Sequence, residues 1–441
     1  MSAISNKSSF FSEITFAGLL FLPSLYFASE HYFLLLPIAV CGFYFKEITQ
    51  LLEVIKRHKI ISILIALFIL LASLNKVFNG LPITCWKDYY ASFLLFPLLI
   101  FSAFYLRKVN FGQWFILLVS VEIIVCMLEY FSGVRSFFPV ECPPINPKSD
   151  FIYDHRVFGL SVNSSVVSYK ILAALLLLEN QNWKKYSKLI LQAFLFLGVI
   201  VTFNRALILA VVFMYLLMAL YQVWKNKKNI QNSLFALAPL VLFLLVFQSF
   251  SKHSILTELN KKNPETKKLS LVKVQALGTS TTIQSCMAAF QPNMKEGNEL
   301  NQKLPLTKLL LGSTKHINTS GRTLIWANFF QFIEEHLWFG NGSDKLYFRE
   351  KDIVTGEEKL VHAHNSFLEL IATHGLLLSA LFIGILLVLW RKKNLIFIMT
   401  LLFFSLFQYG VFWGISILDV IFMVFLLSPI TLWRNEGQPA Y

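Results

Sequence analysis

Charged residues are scarce in this sequence. Asp, Glu, Lys and Arg make up 15% of its 441 residues, whereas soluble globular proteins carry about 25%. This shortage argues against a soluble globular chain, and the 56% of hydrophobic residues excludes an intrinsically disordered one. Cysteine is scarce too, and five in so long a chain exclude a small disulfide scaffold. A polytopic membrane protein remains, because apolar runs of about 20 residues recur along the chain.

Twelve apolar segments predict an all-α polytopic membrane protein with about 12 transmembrane helices. They cover approximately residues 12–28, 31–47, 59–75, 89–106, 112–132, 163–180, 186–202, 205–223, 233–250, 365–390, 394–410 and 415–433. Each is expected to be a helix, because lipid cannot satisfy an open backbone. The continuous Leu- and Phe-rich runs also differ from the short alternating strands of a membrane barrel. The first segment lacks a small-residue cleavage site, so we expect a span and no cleavable signal peptide.

Basic residues cluster in alternate short connectors between these segments. The clusters are Lys46, Lys56, Arg57 and Lys59; Arg107 and Lys108; Lys184, Lys185 and Lys188; Lys225, Lys227 and Lys228; and Arg391, Lys392 and Lys393. The positive-inside rule makes these connectors and both termini cytoplasmic. Most of the clustered excess behind the net charge of +14 therefore anchors the topology, and it does not indicate a nucleic-acid partner.

This topology divides the chain into three parts. Residues 1–250 hold the first nine helices with a short outward loop at 133–162, residues 251–362 form a large outward loop, and residues 363–441 hold the last three helices and a cytoplasmic C-terminus. The large loop is polar and lacks a complete core of its own, and loops of this size are usually functional. We therefore expect the chemistry to occur between the spans and the outward loops.

One amphipathic helix is predicted inside the large loop. Trp326, Phe330, Ile333 and Leu337 recur at positions i, i+4, i+7 and i+11. One turn earlier, the same stripe reaches Arg322, on the apolar and inward-facing side. An arginine that serves solubility more often lies on the opposite face, so Arg322 is a candidate binding residue.

Two further ionisable residues begin apolar segments at their outward ends. Arg205 either snorkels to the interface or binds an anion at the positive end of a helix. His364 continues into an apolar stripe, and a neutral imidazole can take a proton from a hydroxyl with a pKa suited to neutral pH. Its alternative role is that of a polar interface residue bonded to a neighbouring loop.

Other polar residues border the same side of the membrane. His362 and His364 could form a metal pair, but no Cys, Asp or second His cluster completes it at a suitable spacing, so no metal is predicted. Arg156 precedes the sixth segment on the outer side and is expected to border a site. Asp419 lies in the outward half of the last segment, where it could balance an arginine.

Charged residues also fall inside the fifth and sixth apolar segments. Glu122 and Glu129 share one face of the fifth segment, and Lys170 lies inside the sixth. A structural ion pair between these segments is the favoured interpretation, and a proton or substrate path is the alternative.

The cysteines divide by depth. Cys41 and Cys126 fall within apolar segments and are expected to pack there. Cys142 and Cys286 fall in the two long outward loops, where a disulfide between them would suit an oxidising compartment. Cys85 is also near the outward side and is a competing partner.

Three motifs occur in order along the chain. They are Thr-Phe-Asn-Arg-Ala with Arg205; Ser-Gly-Arg-Thr-Leu-Ile-Trp with Arg322, followed by His-Leu-Trp-Phe-Gly-Asn-Gly from His336; and His-Ala-His-Asn-Ser with His364, Asn365, Glu369 and Gly375. In order, spacing and topology the chain resembles the O-antigen ligase and polymerase superfamily of bacterial envelope glycosyltransferases. The motifs lie in about 205–430, and the topology resembles the family over nearly the whole chain. Two departures are Asn204, where Ser or Thr is frequent, and Leu337, where Pro is common.

The resemblance implies a donor glycan carried on undecaprenyl pyrophosphate, and an active site at the periplasmic face of the bacterial inner membrane. It implies transfer to an acceptor hydroxyl without a nucleotide sugar, a cofactor or an obligatory metal. In these roles Arg205 and Arg322 would hold the pyrophosphate, and His364 would deprotonate the acceptor hydroxyl, with inversion if the displacement is direct. The remaining substrate-binding candidates are Arg156, His362, Asn365, Glu369 and Asp419.

The acceptor distinguishes the members of this superfamily. A ligase transfers to lipid A–core, and a polymerase transfers to another lipid-linked repeat. One dominant outward loop and the last segment with Asp419 favour the ligase, and the polymerase is the alternative. A transporter or lipid flippase is a third hypothesis, but the matched broken spans that would favour it are not visible in the sequence.

Overall fold

The computed structural model describes the parts of the chain that surround the predicted site. These are residues 17–18, 21, 59–79, 112–138, 156–161, 163–180, 183–202, 204–225, 241, 322–342, 346, 348–351, 358–389, 395–408 and 422. The helices are α1 Lys59–Phe78, α2 Gly112–Ser132, α3 Ser164–Asn180, α4 Lys185–Val201, α5 Arg205–Lys225, α6 Arg322–Glu335, α7 Ser366–Leu389 and α8 Leu395–Ser405. The strands β1 Phe348–Lys351 and β2 Glu358–Val361 pair antiparallel, with Phe348 opposite Val361.

Several helices match predicted membrane segments. Three are long and apolar enough to cross a membrane, namely α1, α2 and residues Ser366–Val388 of α7. Shorter apolar helices cover Tyr186–Val201, Arg205–Tyr221 and Leu395–Ser405. Observed helices coincide with the predicted segments 59–75, 112–132, 163–180, 186–202, 205–223, 365–390 and 394–410. The segments 12–28, 31–47, 89–106, 233–250 and 415–433 lie outside the described residues, so the total of about twelve remains a prediction.

Helix α3 lies at the centre of the bundle. Nearly all of its side chains are buried, so protein surrounds it on every side. Helices α2, α4 and α5 pack directly against it. Its Tyr169 ring meets the Phe404 ring of α8 with 5.5 Å between centroids. The Phe213 ring of α5 stacks on Phe403 of α8 at 4.2 Å, which joins the central helices to the end of the described chain.

Helix α1 has one protein-facing side and one apolar outward side. Ile61, Ile65, Phe68 and Ala72 are buried, and α1 packs against α7. The exposed residues, called here the outer stripe, are Ile60, Ile63, Leu67, Leu70, Leu74 and Val77. Their spacing of three and four residues places them along one face of the helix. A long apolar helix with such a face presents it to lipid.

A second, smaller core joins α6, β1 and the first half of α7. Its buried members are Ile325, Phe329, Ile333, Leu346, Phe348, Ala363, Leu368 and Ala372. The predicted helix is confirmed, but its buried face is centred on Ile325, Phe329 and Ile333. Leu337 is exposed because α6 ends at Glu335. The two strands, each of four residues, are too short to be recognised by alternation and were not predicted.

The charged residues within the bundle form the expected pair. Lys170 Nζ lies 2.6 Å from Glu122 Oε2, and both side chains are fully buried. The Ser161 hydroxyl donates to Glu122 Oε1 at 2.6 Å. This geometry confirms the structural ion pair between the fifth and sixth predicted segments.

Glu129, by contrast, binds main-chain amides. It accepts hydrogen bonds from the N–H groups of Phe137, Phe158 and Gly159 at 3.0, 3.2 and 2.6 Å. These amides lie near the two ends of the predicted outward loop 133–162. Glu129 therefore fixes the main chain that carries Arg156, two residues before Phe158.

Cys126 is buried in the core beside Glu122 and Glu129, as predicted for a packing residue. Cys41, Cys85, Cys142 and Cys286 lie outside the described residues. The hypothesis of a disulfide between the two outward loops therefore stays a prediction.

Candidate active site

The N-termini of three helices lie at one end of the bundle. The Ser366 hydroxyl at the start of α7 donates to the Gln408 carbonyl at 3.0 Å. The Ser165 hydroxyl at the start of α3 bonds the Gln408 side chain at 3.1 Å. Only a few residues separate α3 from α4 and α4 from α5, and these neighbours pack together, so α5 runs parallel to α3. The positive ends of α3, α5 and α7 therefore share one side of the structure.

Each of these helices begins with an asparagine cap. Asn163, Asn204 and Asn365 each use the side-chain oxygen to accept two main-chain N–H groups of the first turn. The pairs are Ser165 and Val166 for α3, Ala206 and Leu207 for α5, and Phe367 and Leu368 for α7, at 3.0 to 3.4 Å. Such caps satisfy amides that have no partner inside the helix. Asn365, predicted as a substrate-binding residue, therefore has its oxygen engaged in capping α7.

His364 occupies a strained turn just before α7. Its φ is 49°, and it has the only positive φ of a non-glycine residue among the described ranges. Its main-chain N–H donates to Nδ1 of His362 at 3.3 Å, and the two rings lie 3.9 Å apart between centroids. Trp326 of α6 donates its indole N–H to the Ala363 carbonyl at 2.7 Å. Strain of this kind costs about 1–3 kcal/mol and persists only where the surroundings hold it.

Two arginines come near the His364 imidazole. Arg322 begins α6 and lies at i relative to Ile325, Phe329 and Ile333 at i+3, i+7 and i+11, so it shares their inward face, as predicted. Arg156 approaches from the chain before α3. Burial first, then the charges of Arg322 and Arg156, lower the pKa of His364 from 6.5 to about 4. The imidazole is therefore neutral near pH 7, which is the form that accepts a proton.

This pKa differs from the sequence expectation, which used the ordinary value of histidine. The difference arises because burial and cations both penalise the charged imidazolium. Neither is visible in the sequence, since Arg156, Arg322 and His364 lie far apart in the chain.

Glu369 supports this turn from inside α7. It is 1% exposed, and its Oε1 accepts the Leu346 N–H at 2.8 Å. Its Oε2 accepts the Ala363 N–H at 3.2 Å. Leu346 precedes β1 and Ala363 follows β2, so one buried carboxylate holds both ends of the hairpin. Glu369 thereby contacts the main chain beside His364, and its predicted contact with substrate stays a prediction.

Comparison with known families places this geometry in context. Residues 190–383 match the family model described as O-antigen ligase. This segment of the chain is similar to the O-antigen ligase family. No curated protein matches the chain. The resemblance inferred from the motifs is thereby confirmed for the O-antigen ligase superfamily, which supports an enzyme of the membrane glycosyltransferase class.

The matched residues 190–383 contain most of the candidate site. Arg205, Arg322 and His364 all lie within the matched residues, whereas Arg156 and Asp419 lie outside them. The structure gathers Arg156, Arg322, His362, Asn365 and Glu369 around His364. Arg205 begins α5 at the same end of the bundle with an exposed side chain. Asp419 lies outside the described residues.

The structure also assigns supporting roles that the sequence did not reveal. Trp326 was predicted only as part of an apolar stripe, yet its indole N–H anchors the turn of His364. The position of Trp326, one turn after Arg322, was the only sequence signal for this anchoring role. Gln408, which joins the starts of α3 and α7, had no signal in the sequence. Among the described residues, no group of three or more His, Cys, Asp or Glu is placed to hold a metal ion.

A loop after α6 binds α7 across a break in that helix. Helix α7 breaks at Gly375, where φ is 71° and ψ is 174°. Residues 336–342, called here the clamp loop, bind across the break. The Asn341 and Gly342 amides donate to the Ala372 and Thr373 carbonyls at 3.0 and 2.8 Å. In the other direction, the Leu376 amide donates to the Leu337 carbonyl at 2.7 Å. Because α6 carries Arg322 and α7 follows His364, the clamp loop fixes the two elements relative to each other.

Proposed function

We propose that the protein is an O-antigen ligase. It transfers a glycan from undecaprenyl pyrophosphate to a sugar hydroxyl of lipid A–core, at the periplasmic face of the bacterial inner membrane. One observation carries the proposal: a neutral His364 lies beside the cations of Arg322 and Arg156 in a chain whose residues 190–383 match the O-antigen ligase family model. A base and cations are the two components that displacement of a pyrophosphate by a hydroxyl requires.

His364 acts as the general base in this proposal. Its imidazole takes the proton of the acceptor hydroxyl while the hydroxyl oxygen forms a bond to the anomeric carbon. The bond from that carbon to the pyrophosphate oxygen breaks, and its electron pair leaves with the pyrophosphate. A single displacement of this kind inverts the anomeric configuration. The negative pyrophosphate would offset the nearby cations and so raise the pKa of His364 once the donor is bound.

Arg322 and Arg205 hold the pyrophosphate, and Arg156 adds a third cation. Guanidinium groups suit this task because they present several donors to phosphate oxygens in a fixed geometry. The positive ends of α3, α5 and α7 add to the same potential, which favours an anion there. These groups supply charge stabilisation without a metal ion in the proposed reaction.

The charge pattern supports a periplasmic location for this chemistry. The Lys184 and Lys185 cluster joins α3 to α4, at the end of α3 opposite to Asn163 and the site. By the positive-inside rule the cluster is cytoplasmic. The site therefore faces the periplasm, where a lipid-linked glycan and a lipid acceptor meet.

A deletion strain tests the proposal directly. Lipopolysaccharide is resolved on gels from the deletion strain and from strains complemented with wild type, His364→Ala or His336→Ala. His336 is an exposed histidine outside the candidate site and provides a matched control. For a ligase, the deletion and His364→Ala leave lipid A–core bare while long polymer accumulates on the carrier, and wild type and His336→Ala restore capping.

Other outcomes contradict the proposal in distinct ways. Core capped with a single repeat in the deletion strain would identify a polymerase. Full capping by a normally inserted His364→Ala protein would remove the general base. Loss of all lipid-linked glycan from the outer face of the inner membrane would favour a flippase.

A further inference from the structure

The clamp loop lies at the depth of a membrane span. The break at Gly375 falls within Ser366–Val388, one of the helices able to cross a membrane. Helix α1 runs antiparallel to this span, because Phe68 meets Phe382 at 6.2 Å and Asn75 Nδ2 donates to the His374 carbonyl at 3.2 Å. The outward end of α1, itself a candidate span, is therefore level with the break.

Several main-chain groups of the clamp loop bond to neighbouring helices. Its Asn341 and Gly342 amides and its Leu337 carbonyl bond to α7, and Lys76 Nζ of α1 donates to the Gly342 carbonyl at 3.0 Å. A Cβ on Gly340 would come within 2.5 Å of the Ala372 carbonyl oxygen, so the two backbones touch. Irregular backbone is tolerated at membrane depth only when protein or water satisfies it, and here protein satisfies these groups.

Three apolar side chains of the same loop are exposed. Leu337, Trp338 and Phe339 are 38%, 55% and 40% exposed. The Phe339 ring lies 5.5 Å from the ring of Phe78, which ends α1 and is 70% exposed. The outer stripe of α1 therefore continues without interruption through Phe78 onto the clamp loop. Lipid that covers the stripe of a spanning helix also covers this extension.

We propose that the clamp loop is a re-entrant segment whose apolar side chains contact bilayer lipid. The chain descends from the end of α6 to the level of Gly375, places Trp338 and Phe339 in the lipid near the headgroup boundary, and rises again toward β1. Tryptophan favours that boundary because its indole combines an apolar ring with a polar N–H, and the wholly apolar ring of Phe339 favours the lipid side of it. If the proposed function holds, this anchor also keeps Arg322 at a fixed height above the bilayer, where a lipid pyrophosphate lies.

Spin labels on the full-length protein in lipid vesicles test the proposal. Single cysteines replace Trp338, Leu74 or Glu334, in a background where the other cysteines except buried Cys126 are serine. Leu74 belongs to the outer stripe and serves as the lipid reference. Glu334 is exposed on α6, four residues before Trp338, and serves as the aqueous reference. Power saturation with oxygen and with a water-soluble nickel chelate reports the depth of each label.

The expected result is that the label at 338 behaves like the label at 74. Oxygen relaxes both more strongly than the nickel chelate does, and the order is reversed at 334. Nickel accessibility at 338 equal to that at 334 would overturn the proposal. Because the readout is depth and not glycan transfer, either result leaves the test of the proposed function independent.

Discussion

Replacement of Arg156 by glutamine should move the acid limb of the pH–rate profile upward. Activity needs the neutral imidazole of His364, so it is present above the pKa of that group and is lost as the pH falls through it. The wild-type limb of kcat/KM is therefore expected near pH 4. Removal of one neighbouring cation raises the pKa of His364 toward its ordinary value, and the limb rises with it.

The structure limits the size of this change. Burial, Arg322 and Arg156, in that order, account for the fall in the pKa of His364 from 6.5 to about 4. Arg156 is the smallest of three contributions of one sign, so it accounts for less than a third of the fall. Arg156→Gln should therefore raise the limb by less than about 0.8 pH unit. Arg322→Gln should raise it further, but by less than about half of the full fall.

The assay is transfer by purified enzyme in nanodiscs, with kcat/KM measured from below about pH 4 to about pH 7. Arg156→Lys retains the charge and should keep the wild-type limb even if it binds donor less well. Arg135→Gln is the matched control, because Arg135 belongs to the same outward region and does not contribute to the pKa of His364. A wild-type limb near pH 6.5, or a limb that neither glutamine variant moves, would refute the reasoning.

Three further substitutions test the supporting structure. Glu369→Gln keeps the volume of the side chain but presents an amide NH₂ where a main-chain N–H must be accepted. We expect kcat to fall by roughly tenfold or more, with little change in KM and no shift of the acid limb of the pH–rate profile. A change in KM alone would indicate direct substrate binding instead. Gly375→Ala places a Cβ against the main chain of the clamp loop, at φ and ψ angles that essentially only glycine adopts. It should lower the free energy of unfolding, measured by thermal unfolding, by about 1–3 kcal/mol. Gly384→Ala, in the same helix with open space around it, is its control and should be neutral or stabilising. Lys170→Met leaves the Glu122 carboxylate buried without its cation and should lower the free energy of unfolding by about 3–5 kcal/mol. The double variant with Glu122→Leu should recover most of this loss in the same melting experiment. Equal losses in the single and double variants would argue against the ion pair.

Several parts of the fold follow from the sequence because lipid restricts what a backbone can do. Continuous apolar runs must be helices, and the observed helices coincide with those runs. Arg322 was assigned to the inward face by helical period alone. This assignment agrees with the structure, although the buried stripe of α6 runs through a partly different set of residues. Glu122 and Lys170 were paired because hydrocarbon penalises a lone charge.

The remaining features depend on contacts between distant residues. The break at Gly375 is invisible in a run that reads as one span at 365–390, because it is stabilised by amides of the clamp loop more than thirty residues earlier. The depressed pKa of His364 requires Arg156 and Arg322 to converge on it. Glu369 is a substrate-binding candidate only through its motif, whereas its two observed partners are main-chain amides on either side of a hairpin that has no periodic signal.

The asparagine caps have a consequence for the electrostatics of this end of the bundle. Aspartate would satisfy the same amides, but it would also bring a negative charge to the helix end. At α3 and α5 no acidic residue occupies the first turn, and at α7 the carboxylate of Glu369 already holds two amides. Neutral caps thus complete the hydrogen bonding of these helices without adding charge, and at α3 and α5 no first-turn carboxylate offsets the positive potential of the helix end. An anion that approaches the N-terminus of α3 or α5 from outside therefore meets a positive potential that no acidic residue of the first turn offsets.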